Sequence, residues 1–140
     1  MIRICLALIL IASVGSCKKI QEKVEEKQAM QFITIGQWRI TNLTKGSVDH
    51  SSEFIPYTFQ FRDNYTVDAF RNSVKEMTGV WSGTSVGSSV TISSTFPSNS
   101  STSLLLLNGS FNVTDADLNY VEATKTESGV VISLRMEKVR

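Results

Sequence analysis

From Gly36 onward the chain is a succession of short stretches in which apolar and polar residues alternate, each cut off by turn chemistry. Alternation with period two sends neighbouring side chains to opposite faces of an extended strand, so such a chain must build a sheet with one buried face. The series opens with Gly36-Gln37-Trp38-Arg39-Ile40, which puts Trp38 and Ile40 on one face and Gln37 and Arg39 on the other. This predicts a first strand over 35–43. After a polar loop at 44–53, Tyr57-Thr58-Phe59-Gln60-Phe61 alternates strictly and lines up three aromatics. Asp63-Asn64 is turn chemistry, so 65–70 is the expected hairpin partner. A strand over 77–83 carries a second Gly-x-Trp, Gly79-Val80-Trp81, a hint of a structural half-repeat, and Gly87-Ser88 separates it from Val90-Thr91-Ile92. A Ser-rich loop at 97–103 precedes Leu104 to Leu107, which reads either as a helical turn or as a buried strand. Phe111-Asn112-Val113, then 120–123 after the Asp115-Ala116-Asp117 turn, then 130–136 after Ser128-Gly129, complete the set. The expectation is an all-β domain of about eight short antiparallel strands, an up-and-down barrel or a sandwich.

The 140 residues suffice for one domain with one modest core. Fourteen basic residues face 13 acidic ones, which leaves no electrostatic footprint for nucleic acid. Neither cysteine is placed to staple a domain, because Cys5 lies inside a leading apolar run and Cys17 directly follows it.

That leading run has the anatomy of a secretory signal over 1–16, with Arg3 as the positive flank and 4–12 as the apolar segment. It is shorter than the roughly 20 apolar residues a membrane-spanning helix needs. The junction Val14-Gly15-Ser16-Cys17 resembles a bacterial lipobox. The resemblance implies cleavage before Cys17, diacylglycerol on its thiol and a membrane partner through the acyl chains. A plain signal peptide with a chance cysteine is the alternative. Lys18 and Lys19 follow where an aspartate would suggest retention at the inner membrane, so the expected location is the outer membrane, facing the periplasm. Residues 17–34 read as the lipidated N-terminus and a short helical spacer: Glu22 and Glu26, like Lys19 and Lys23, sit four apart, and Ile20, Val24 and Ala29 or Met30 make only a thin apolar stripe, which favours a spacer over a partner-binding helix. The β-domain is expected over 35–140.

The order Gly36-Gln37-Trp38-Arg39-Ile40-Thr41, Tyr57-Thr58-Phe59-Gln60-Phe61 and Thr78-Gly79-Val80-Trp81-Ser82 resembles the lipocalin-like domain of small Gram-negative lipoproteins of unknown function. The resemblance implies an eight-stranded barrel in which the first-strand tryptophan, Trp38, closes one end and a basic residue of the last strand packs over it. Arg135 is the residue that matches that role. The family's later tryptophan is Phe111 here, and the glycine usual after Asn64 is missing.

No convincing catalytic, metal or cofactor site emerges. Gly83-Thr84-Ser85-Val86-Gly87 matches the nucleophile elbow, but that motif needs a strand running into a helix and a later histidine, and His50 comes earlier. Asp115-Ala116-Asp117-Leu118-Asn119 imitates the start of a calcium loop, yet Tyr120 and Thr126 stand where Gly and Glu are required. The sequons at Asn42, Asn64, Asn99, Asn108 and Asn112 would matter in a eukaryotic secreted chain. The aromatics Trp38, Tyr57, Phe59, Phe61, Trp81 and Phe111 either line a pocket for one small hydrophobic ligand or fill the core, because an eight-stranded barrel has room for one or the other. The expected protein is a monomeric, non-enzymatic binding module. The alternative is a structural or interaction module with a filled barrel.

Overall fold

The computed structural model describes residues 31–140. The expected signal peptide, lipobox with Cys17 and spacer as far as Met30 lie outside the described residues. Residues 31–34 are helical. Nine strands follow: β1 Trp38–Lys45, β2 Val48–Asp49, β3 Tyr57–Phe61, β4 Thr66–Arg71, β5 Val74–Val86, β6 Ser89–Thr95, β7 Gly109–Ala116, β8 Tyr120–Glu127 and β9 Val130–Lys138. From β3 to β9 each strand pairs with the next, antiparallel, and β9 returns to β1 from Trp38↔Lys138 to Lys45↔Ile132. The second seam of β1 is slender, a single pair Trp38↔Phe59 with β3. Eight strands thus close an up-and-down barrel, and the two-residue β2 is an extra strand on β1.

Period two decides what faces in. Tyr57, Phe59 and Phe61 of β3, Val67 and Ala69 of β4, Val121 and Ala123 of β8, and Ile132, Leu134 and Met136 of β9 are all buried. In β1 the register shifts between Ile40 and Asn42, so the inward series runs Trp38, Ile40 and then Leu43. A bulge of this kind re-aims every later side chain.

Two strand starts differ from expectation. β1 starts at Trp38 rather than 35 because Gly36 sits at φ 73, a left-handed conformation that ends the helical turn. β5 starts at Val74 rather than 77 because Asn72 and Ser73 both take positive φ, which makes a two-residue hairpin turn without the glycine that normally signals one. Of the two readings of 104–107 the helical one holds for its start: Leu104 lies in a short helix, Thr102–Leu105, whose first turn is capped by Ser101 Oγ accepting from the Leu104 amide. The polar loop at 44–53 holds β2 and most of a 3-10 turn, Ser51–Phe54.

That turn and the short helix plug one barrel end. Phe54, Leu104, Leu43 and Ile132 there are wholly buried. A line of rings continues inward from the plug, with Phe54–Tyr57 centroids 6.1 Å apart, Tyr57–Phe59 6.0 Å and Phe59–Phe96 6.4 Å. The opposite end carries the helical turn 31–34, the β5–β6 hairpin and the β7–β8 turn.

The two Gly-x-Trp glycines do different jobs. Gly36 supplies a positive φ. At Gly79 a Cβ would stand 2.7 Å from the Thr95 carbonyl oxygen and 2.9 Å from the Phe96 ring. The half-repeat hint therefore has no common structural cause.

Candidate ligand-binding site

β5 outruns β4. Their pairing ends at Thr66↔Val80, while Trp81 to Val86 pair only with β6. The β5–β6 hairpin therefore stands above the rim formed by β3 and β4. On the other side the 31–34 turn folds over the barrel end, with Ile33 buried and its carbonyl accepting the Trp38 indole N–H at 2.9 Å. Between these walls is a cavity of about 350 Å³.

Its lining is built by strand parity. Trp81, Gly83 and Ser85 alternate on β5, Val90 and Ile92 on β6, and Val113 and Val121 face across from β7 and β8. Phe32, Ile33 and Trp38 close one side. Leu118, 55% exposed, and Phe32, 41% exposed, both line the cavity, so it reaches the surface between the 31–34 turn and the β7–β8 turn. Past Ile92 and Val121 the free space falls to about 40 Å³, bordered by Ile40, Phe59, Phe61, Phe111, Leu134 and Met136. That is room for a few waters, each needing about 10–15 Å³, and not for a ligand. The barrel is filled at the plugged end and hollow at the Trp38 end.

Both indole N–H groups are taken up by backbone carbonyls. Trp38 donates to Ile33, and Trp81 donates to the Arg62 carbonyl at 2.9 Å. Phe61 meets Trp81 edge-on, at 5.6 Å and 89°, and Tyr65 leans on it at 5.9 Å. Tyr65 occupies the turn at φ 67, the position a glycine would take, and Thr66 bonds back to Asn64 Oδ1 through both its amide and its hydroxyl. Arg62 is itself held: its Nε donates to Asp68 Oδ2 at 2.9 Å, and Thr78 Oγ1 donates to Asp68 Oδ1 at 2.7 Å. Burial alone would push the Asp68 carboxyl up, but the bonds from Thr78 and Arg62 and the charges of Arg62 and Lys75 outweigh it and hold it below the usual carboxylate range.

With the indole donors occupied, the polar side chains on the lining are Thr84, Ser85 and Asp117. Asp117 Oδ1 accepts the amides of Asn119 and Tyr120 at 2.7 and 3.1 Å, which shapes the β7–β8 turn. The Tyr120 hydroxyl donates to Asp115 at 2.6 Å, a bond that raises its pKa. This lining can hold an apolar body and leave one polar group at the rim.

The six predicted aromatics divide. Trp38 and Trp81 border the cavity, whereas Phe59, Phe61 and Phe111 border the small void. Tyr57 lies at the plug, where its hydroxyl donates to Glu76 Oε2 at 2.6 Å. Arg135 does not pack on Trp38. It pairs with Asn42, points outward over the Tyr120 ring at 4.3 Å, and contacts Glu122 at 2.5 Å and Glu137 at 3.5 Å. The cation over the Trp38 ring is Lys138, at 5.5 Å. The reason is parity: Lys138 continues the inward series Ile132, Leu134, Met136 and stands opposite Trp38, while Arg135 falls between them.

The aliphatic lining was missed by a reading fixed on rings. Val113 shares parity with Phe111, and Gly83 with Trp81, so the pattern held a signal for both. Phe32 and Ile33 enter from a helical turn, and no strand pattern points to them. Gly83 to Val86 end β5 and turn into β6, not into a helix. His50 sits at the plugged end beside Glu53, which also accepts from Ser103 at 2.7 Å. Among the described residues no group of three metal-ligating side chains occurs, and no helix is long and apolar enough to cross a membrane. Compared with family models, with curated proteins and with solved structures, the chain finds no match in any of the three.

Proposed function

We propose that this chain is a lipid-anchored envelope protein whose lipocalin-like barrel holds one small apolar ligand at its Trp38 end. The observation that carries the reading is the 350 Å³ cavity with its aliphatic and indole lining. Pockets for small molecules run from about 300 to 1,000 Å³ and bury an apolar body against few polar groups. A volume near the lower bound suits a single hydrocarbon chain or one compact apolar molecule. Each square ångström of apolar surface it buries contributes about 25 cal/mol before the costs of association. Asp117 puts a carboxylate at the rim, so a neutral polar end is favoured over a second carboxylate. The anchor and its place, outer membrane facing the periplasm, rest on the lipobox ending at Cys17.

Gly83 offers the test. A Cβ there meets Trp81 at 3.6 Å, ordinary contact, so a larger side chain can grow into the cavity without clashing at its root. Every described strand lies between Trp38 and Lys138, so a chain made from Lys18 onward keeps the whole barrel. Titrating it with fatty alcohols while following tryptophan emission should give a saturable change, because both tryptophans border the site. Gly83→Leu should remove that change while the thermal midpoint stays near that of the parent, and a fatty acid of equal length should bind more weakly than the alcohol. Flat titrations with the parent chain, or an unchanged curve for Gly83→Leu, would instead support a barrel that acts through its outer surface.

A further inference from the structure

The chain enters the barrel at the mouth of the cavity, and exposed apolar residues stand at that end beside the polar Thr84, Ser85 and Asp117. Phe32 borders it from the N-terminal turn, exposed Ile35 directly follows that turn, and Leu118 borders it from the β7–β8 turn. Val86 ends β5 at the hairpin tip. Their exposures run from 41% for Phe32 to 77% for Val86. Phe32 and Leu118 belong at once to this rim and to the cavity wall. Exposed apolar groups gathered round a cavity opening mark a contact surface.

The length of chain ahead of the barrel says what lies opposite it. Cys17 to Met30 are 14 residues, which span about 21 Å as a helix and at most about 46–50 Å extended. They join the barrel at the helical turn 31–34, directly beside the mouth. The eight residues of β1 are about 26 Å long, so turning the plugged end to a membrane that holds Cys17 would require the tether to run back along most of the barrel. The mouth needs no such detour.

We infer that the cavity mouth rests on the bilayer that carries the anchor, with Phe32, Ile35, Val86 and Leu118 in the headgroup–acyl boundary. The inference rests on the lipid-anchor reading of Cys17. Charged side chains of both signs stand at the same end, Arg62 and Lys138 with Asp63, Asp115, Asp117 and Glu137, so the apolar rim supplies the attraction and moderate salt leaves the docking in place. Such contact lets an apolar molecule pass between lipid and cavity without crossing water. A second set of exposed apolar residues, Ile55, Val74 and Val131, lies at the plugged end. It borders neither of the two cavities described above and lies away from the chain's entry, which makes it the fair control.

The full chain, made in a host that processes lipoproteins, supplies the experiment. Processing removes Cys5 and blocks Cys17, so a cysteine introduced by Leu118→Cys, Val86→Cys or Val74→Cys is the sole free thiol. Each carries an environment-sensitive fluorophore and is placed in vesicles of phosphatidylethanolamine and phosphatidylglycerol. The 118 and 86 probes should shift to the blue with a several-fold rise in intensity and be quenched by brominated acyl chains, while the 74 probe should stay as in water. Vesicle-bound protein whose mouth probes remain in water, or whose 74 probe is the one to shift, overturns the docking and leaves the anchor standing. Protein that stays off the vesicles and labels at Cys17 overturns the anchor and the docking with it. Two independent mouth positions guard against one substitution that merely unfolds the turn.

Discussion

Lys138 and Arg135 are three residues apart on one strand and do unrelated things, because one shares the inward parity and the other does not. A cation over an indole at an exposed or half-exposed site contributes about 0.5–1 kcal/mol. Lys138→Met should therefore lower stability by about that amount and alter Trp38 emission. Arg135→Met should leave the emission unchanged, its surface ion pairs contributing about 0–1 kcal/mol. Equal emission changes in the two variants would contradict the placement. Asp68 acts at a distance, since it holds Arg62, whose carbonyl holds the Trp81 indole. Its folded pKa is depressed below the unfolded value of about 3.9, so the stability it contributes is present above that value and is lost as the pH falls through the folded one. Asp68→Asn should cost about 1–3 kcal/mol near neutral pH, the range for a disrupted buried polar group. Chemical denaturation at pH 7 and pH 3 checks the sign: the difference between parent and variant should be smaller at pH 3.

At the scale of elements, the long β5 is what makes a mouth at all. Its lower half pairs with β4 and β6 together, and its upper half pairs with β6 alone. Gly79 sits just below the point where β4 pairing ends, pressed against the Thr95 carbonyl and the Phe96 ring. Gly79→Ala should cost about 1–3 kcal/mol as an overpacked substitution, whereas Val80→Ala on the exposed face should stay within about 0.5 kcal/mol. Comparable losses in urea titrations of both variants would show that Gly79 is not a close-packed position. The plugged end has the opposite construction. A 3-10 turn and a short helix, each of four residues, deliver Phe54 and Leu104 into the barrel, so that end has no room for a ligand.

Across the whole molecule the barrel is closed unevenly. β1 meets β9 along nearly its full length and meets β3 at one pair, so the β1–β3 seam has the fewest backbone bonds to lose. Local opening should start there. Amide exchange under native conditions should be faster along the β1–β3 seam than along the β1–β9 ladder, and equal protection of the two would show that side-chain packing alone holds the wall. The same asymmetry leaves β3 and β4 as the low part of the rim, below the β5–β6 hairpin, at the end where the cavity lies.

Period-two alternation was enough for the all-β class and the shared face of the three β3 aromatics, because side-chain direction in a strand depends only on local backbone geometry, while the antiparallel order of neighbours rested on the short turns between strands. Lys138 was within reach of the same rule, while the bulge that turns Leu43 inward is a matter of pairing between strands and leaves no local mark. The turn at Asn72-Ser73 escaped because its residues take left-handed φ without glycine. What the tertiary structure alone decided is where the volume goes. Phe54 and Leu104 come from segments with no strand pattern, Phe32 and Ile33 from a helical turn, and only their arrival at opposite ends makes one half of the barrel solid and the other hollow. A pocket is the space left after packing, a property of distant segments together, and no single stretch of sequence encodes it.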